Sequence, residues 1–126
     1  MCIRDRFVIV ILARSTVLAD AVSDFDKGYA AYHQGKHSEA AKWFRKAADQ
    51  GFAIAQYNLG YMYATGQGVL KDNILAHLWW NIAASKGNKS ATKNRGIVEK
   101  KMTAADISEA TKKAKHCLKS NYKDCE

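Results

Sequence analysis

The chain has 126 residues, 48% of them apolar and 25% charged, and contains no proline. That length suits one domain in the range of ~100–200 residues, and the composition is that of an ordinary folded protein. Missing prolines beside plentiful Ala, Lys and Leu point to helix, because Pro breaks helices and Ala favours them most.

The first nineteen residues read as a leader. The apolar run "FVIVILA" (7–13) follows Arg4 and Arg6, and "VLA" (17–19) and "ADA" (19–21) offer small residues for cleavage. This is the order of a secretory signal peptide, interrupted by Arg14, Ser15 and Thr16. The run is too short to span a bilayer, which takes ~20 apolar residues. Residues 1–19 are therefore expected to be removed from an exported, periplasmic or secreted chain that keeps no transmembrane span. Beyond them stand 17 basic and 11 acidic residues. Residues 20–85 hold six of each sign, and 86–126 hold eleven basic and five acidic, so the excess charge lies in the last third.

The next segments repeat. "AAKWFRKAADQG" (40–51) and "AHLWWNIAASKG" (76–87) agree at five of twelve positions, with Phe44 aligned on Trp80. The same offset places Gly60 on Gly96 and Ala55 on Ala91. A first unit over 20–51 has Gly28 in its first helix, a turn at Gly35, and a second-helix stripe of Ala40, Phe44, Ala47 and Ala48. A second unit over 52–87 opens with Ala55, Leu59 and Tyr63 at i, i+4 and i+8, one face for a core. Gly60 sits inside that helix, where it costs ~1 kcal/mol against Ala, so a neighbouring helix should approach closely there. "TGQGVLKD" (65–72) breaks the helix, with Gly66 as its left-handed end, Val69 and Leu70 expected to plug into the hairpin, and Asp72 as the next N-cap. Ala76, Trp80, Ala83 and Ala84 then form a face of small residues around one large ring, and Trp79 points toward the adjoining unit.

The third unit, 88–120, is degenerate. Gly96 is in register, but Arg95 and Glu99 stand where Leu59 and Tyr63 stood. "MTAAD" (102–106) contains the Thr103 and Asp106 pair of a capping box, followed by a Lys-rich helix to about Lys119 and a tail over 121–126. A polar terminal unit is what a repeat stack needs for solubility. The fold class expected is all-α, three helical hairpins stacked as an α-solenoid, with about three repeats the usual minimum for stability. Outside the leader, which contains Cys2, the cysteines are Cys117 and Cys125. In an exported chain an even pair is most simply a disulfide, the alternative being two free thiols. With His116 they lack a fourth ligand for zinc, so no metal site is read.

The glycines, aromatics and alanines of 53–87 (Ala55, Leu59, Gly60, Tyr63, Gly66, Gly68, Val69, Asp72, Ala76, Trp79, Trp80, Ala83, Ala84 and Gly87) resemble a Sel1-like repeat, the longer-looped relative of the tetratricopeptide repeat. Residues 24–51, with the short "GKHSE" loop, are more similar to a plain tetratricopeptide unit. The resemblance implies a right-handed solenoid and an adaptor that holds partner proteins or peptides. The spacing of Cys117 and Cys125 is similar to the disulfide spacing of a cysteine-rich bacterial branch of that family, although there the pair falls within each repeat.

No catalytic constellation emerges. His33 and His37 straddle the Gly35 turn, there is no H-E-x-x-H or G-x-S-x-G motif, and no cofactor-binding pattern. A β-lactam or peptidoglycan hydrolase, linked to some members of the cysteine-rich branch, is thus the weakest of three readings. The strongest is an exported interaction module whose concave surface presents Tyr29, Tyr32, Tyr57, Tyr61 and Thr65 to a peptide or protein, since tyrosine offers apolar area with a polar tip. The alternative for these rings is that they cover junctions between helices. Between the extremes lies electrostatic binding of an anionic envelope polymer, lipid or nucleic acid by the Lys-rich unit. Nucleic acid fits it least, because the patch carries few Arg and aromatic residues.

Overall fold

The computed structural model describes the backbone of residues 2–126 and the side chains of 18–126. Side chains of the expected leader up to position 17, Cys2 included, lie outside the described residues. Six helices follow one another: α1 (Cys2–His33), α2 (His37–Asp49), α3 (Ala53–Thr65), α4 (Asn73–Ser85), α5 (Lys89–Glu99) and α6 (Ala104–Lys119). Among the described residues there is no strand, and no helix is long and apolar enough to cross a membrane.

Helix α1 pairs with α2, α3 with α4, and α2 with α3, so two hairpins stack. The stripes read from the sequence are the buried faces: Ala40, Phe44, Ala47 and Ala48 on α2, and Ala76, Trp80 and Ala83 on α4, are at most 4% exposed. The small side chains let the helices close in, and one ring per hairpin fills what they leave. A Cβ on Gly28 would meet the Phe44 ring at 2.7 Å, and one on Gly60 would meet the Trp80 indole at 2.6 Å. The close approach expected at Gly60 is therefore ring against backbone, and it recurs in the first hairpin. Trp80 also donates its Nε1–H to the Tyr57 carbonyl at 3.0 Å, which fixes the indole across the α3 backbone.

Helix ends follow the local chemistry. Gly66 takes the left-handed conformation that terminates α3 (φ 73°), Asp72 accepts from the Leu75 N–H at 3.0 Å, and Thr103 and Asp106 close a reciprocal capping box on α6. The loop after α3 departs from expectation at one residue. Val69 packs against the cluster of Ala31, Ala40, Ala41, Phe44 and Met62, whereas Leu70 is 90% exposed. Only one of two consecutive side chains reaches the hairpin, because the loop lies directly on the start of α2. At Gly68 (φ 72°) a Cβ would come within 2.3 Å of the His37 carbonyl.

The third unit is built differently. Helices α5 and α6 both pack on α4 and barely touch one another. Gly96 has no atom near a would-be Cβ. The polar residues at the core positions find partners on α4: Arg95 donates to Asn81 at 2.6 Å, and the Glu99 carboxylate accepts from His77 Nε2 at 2.8 Å. Helix α6 contributes Ala114 and Cys117 to the central cluster, where they join Ala47, Ala48, Leu59, Leu78, Trp79 and Ile82. Trp79 is fully buried in that cluster, between residues of the first hairpin and of the last helix.

Candidate functional site

Tyr29 and Tyr32 stand on the last turns of α1, and Tyr57 and Tyr61 stand a helical turn apart on α3. The two helices bring all four to one cavity of about 280 Å³, completed by His33, Phe44, Asn58 and Met62. Its floor is the Phe44 ring that also covers Gly28, so the scaffold ring and the cavity share an atom layer. Tyr29 and Tyr61 form an exposed rim, at 54% and 42% exposure. Tyr32 and Tyr57 are half-buried and held by hydrogen bonds: the Tyr32 hydroxyl donates to Gln67 Oε1 at 3.0 Å, and Asn94 Nδ2 donates to the Tyr57 hydroxyl at 3.3 Å. Tyr57 also packs against the Ala76, Trp80, Ala83, Ala91 and Val98 cluster, so it does double service as a junction ring.

Thr65 lies apart from the cavity. Its hydroxyl donates to the Tyr61 carbonyl at 2.9 Å, one turn back on its own helix. The histidines on either side of the Gly35 turn are brought together instead by Tyr32, whose ring lies 5.8 Å from His33 and 4.8 Å from His37. His33 also meets Tyr29 edge-on at 4.2 Å. Asn58 and Met62 each follow a cavity tyrosine by one residue, beside the Tyr stripe rather than on it. His33 follows Tyr29 by one helical turn on α1. The cavity offers ring faces, hydroxyls, an imidazole and an amide, chemistry for docking side chains. Among the described residues no cluster of His, Cys, Asp and Glu could hold a metal ion.

The structure puts the Cys117 and Cys125 sulfurs at bonding distance, 1.97 Å, in a nearly closed environment. The Lys-rich unit carries exposed Lys112, Lys115 and Lys119 along α6, with Lys113 near Glu109 (3.8 Å) and His116 against Asp124 (2.8 Å), so acids interrupt the basic surface.

The glycine-and-ring hairpins match a known repeat. The Sel1 repeat family model fits residues 28–52 and 53–88. Over those two spans the chain is similar to the Sel1 repeat. The first falls on the unit whose short loop is similar to a tetratricopeptide unit. The crystal structure of a protective antigen present in uropathogenic Escherichia coli strains, displaying an SLR fold, superposes with a TM-score of 0.73 at 34% identity over 81% of this chain and 24% of that one. The fold is an all-α Sel1-like solenoid, a scaffold that is typically non-enzymatic. Curated relatives include chitin synthase regulatory factor 3 of Schizosaccharomyces pombe, 46% identical over 44% of this chain and 6% of the relative. Exopolysaccharide production negative regulators of Rhizobium leguminosarum bv. viciae and Rhizobium meliloti are 32% and 31% identical over 58% and 57% of this chain and 27% of each relative. The chain thus spans about a quarter or less of the length of these relatives.

Proposed function

We propose that this Sel1-repeat chain is an adaptor that binds an extended peptide or protein segment in the cavity between α1 and α3. Sel1-repeat proteins are generally protein-interaction modules. The observation that carries the specific surface is the meeting of Tyr29, Tyr32, Tyr57 and Tyr61 at one cavity, with the inner pair fixed by hydrogen bonds and the outer pair exposed. A pre-positioned floor with an adaptable rim limits the ordering cost of binding, and tyrosine is enriched where interface energy concentrates. That the relatives are named regulators supports a role exerted through other molecules.

Cross-linking in the native envelope tests the reading, using the Tyr29→Ala, Tyr61→Ala double variant. Both rings are exposed at the rim, so the variant should stay folded and lose its cross-linked partner. An unchanged partner set in the folded double variant removes the cavity from the account. Export is part of the same proposal. The leader pattern of 1–19 and the paired Cys117 and Cys125 support it, and cell fractionation with mass determination of the mature N-terminus checks it.

A further inference from the structure

One carboxylate in this fold is surrounded by donors from three helices. Trp79 of α4 donates its Nε1–H to Glu126 Oε1 at 2.8 Å, and Tyr63 of α3 donates its hydroxyl to Glu126 Oε2 at 2.8 Å. Arg45 of α2 pairs with the same Oε2. The guanidinium also lies over the Trp79 ring, 5.3 Å from its centroid, and is steadied by Asp49, which accepts from Arg45 Nε at 3.0 Å. The Glu126 side chain is 20% exposed and Trp79 not at all. An indole has one donor and no acceptor, so this enclosed N–H depends on whatever carboxylate sits beside it. Burial pushes the Tyr63 phenol well above its ordinary range, reinforced by its hydrogen bond to Glu126 and that carboxylate's charge, so it stays a donor at any physiological pH.

The three donors belong to the two repeats, while the carboxylate arrives from the tail after α6, tethered beside the site through Cys125 and Cys117. Host and guest thus come from different elements of the chain. None of Arg45, Tyr63 and Trp79 lines the tyrosine cavity.

We propose that Arg45, Tyr63 and Trp79 form a second binding site, specific for a carboxylate side chain, which Glu126 occupies in cis and which an acidic residue of a partner peptide takes when the tail withdraws. A charge-assisted pair and two neutral donors, aimed at the two oxygens of one carboxyl group, select carboxylate over amide. The tether gives Glu126 a high local concentration, so a partner must displace it.

The test uses full-length, isotope-labelled Glu126→Ala protein, titrated with sodium propionate at constant ionic strength set by sodium chloride. The indole N–H resonance of Trp79 and the melting temperature are followed. Propionate should shift that one resonance saturably, raise the melting temperature, and act at a concentration at least about tenfold lower than in the parent protein, where the tail competes. Acetyl-glutamate amide should reproduce the effect and its glutamine counterpart should not. Adding Arg45→Gln should abolish it. An unsaturable response, an equal response in the parent, or one that survives Arg45→Gln overturns the proposal. If Glu126→Ala fails to fold, Glu126→Gln keeps the tail seated without its charge. Propionate should then displace the amide and move the same resonance, and a silent resonance overturns the proposal as firmly.

Discussion

The first two hairpins and the third unit share a glycine register but not a packing solution. In each hairpin a glycine on the first helix faces a ring on the second, Gly28 under Phe44 and Gly60 under Trp80, with contact distances a Cβ could not tolerate. In the third unit Gly96 faces open space, and the residue thirty-six positions after Trp80 is the exposed His116, bonded to Asp124. Without the ring, α5 and α6 have nothing to close upon and settle on α4 separately. Sequence register alone therefore does not make a repeat. The glycine is a packing residue only where its ring partner is present, and where the ring is lost the unit becomes a cap.

The largest effect should come from removing a ring. Phe44→Ala and Trp80→Ala each delete a side chain at most 4% exposed and should cost about 3–5 kcal/mol in denaturant unfolding. A loss under about 1 kcal/mol would break the claim that the rings hold the hairpins. Next, Glu126→Ala should cost about 1–3 kcal/mol, because it strands a buried indole N–H and removes one of the two carboxylate partners of Arg45. That loss would show how far the cap holds the repeats through its tail rather than through its helices.

A smaller effect is the alkaline limb of stability. Tyr63 ionises at higher pH in the folded than in the unfolded chain, because burial and Glu126 both oppose its phenolate. Its stabilisation is therefore full below the ordinary tyrosine pKa of 10.0 and lost as pH rises above that value. An ultraviolet titration should show a phenol ionising above the ordinary tyrosine range, and Tyr63→Phe should remove that phase and flatten the loss of stability above pH about 10. The smallest effect belongs to Leu70→Ser. With Leu70 90% exposed, its removal should change stability by no more than about 0.5 kcal/mol, while Val69→Ala should be felt in the first hairpin.

Much of this fold is legible in the chain because its rules are local. Helix stripes at i, i+3 and i+4, the αL glycine at 66, the Asp72 cap and the Thr103–Asp106 box each need only a few adjacent residues, and each stands where the pattern put it. The cavity is partly legible. Tyr57 and Tyr61 share a stripe, but Thr65, next on that stripe, turns its hydroxyl back on its own helix. His33 enters because it follows Tyr29 by one helical turn on α1. Leu70 misleads because apolarity says that a side chain could be buried, not that its loop points inward. The carboxylate cradle is invisible to any pattern reading. Its donors stand at 45, 63 and 79 and its acceptor at 126, on four different elements, and no periodicity links them.

Alanine at the register glycines tests the central claim most directly. In paired unfolding measurements, Gly60→Ala should destabilise by about 1–2 kcal/mol, because overpacking against Trp80 outweighs the better helix propensity of Ala. Gly96→Ala should stabilise by about 0.5–1 kcal/mol, because its position is helical and open. Opposite signs at two positions of one register are what a ring-gated repeat predicts. Stabilisation at both, or loss at both, would contradict it.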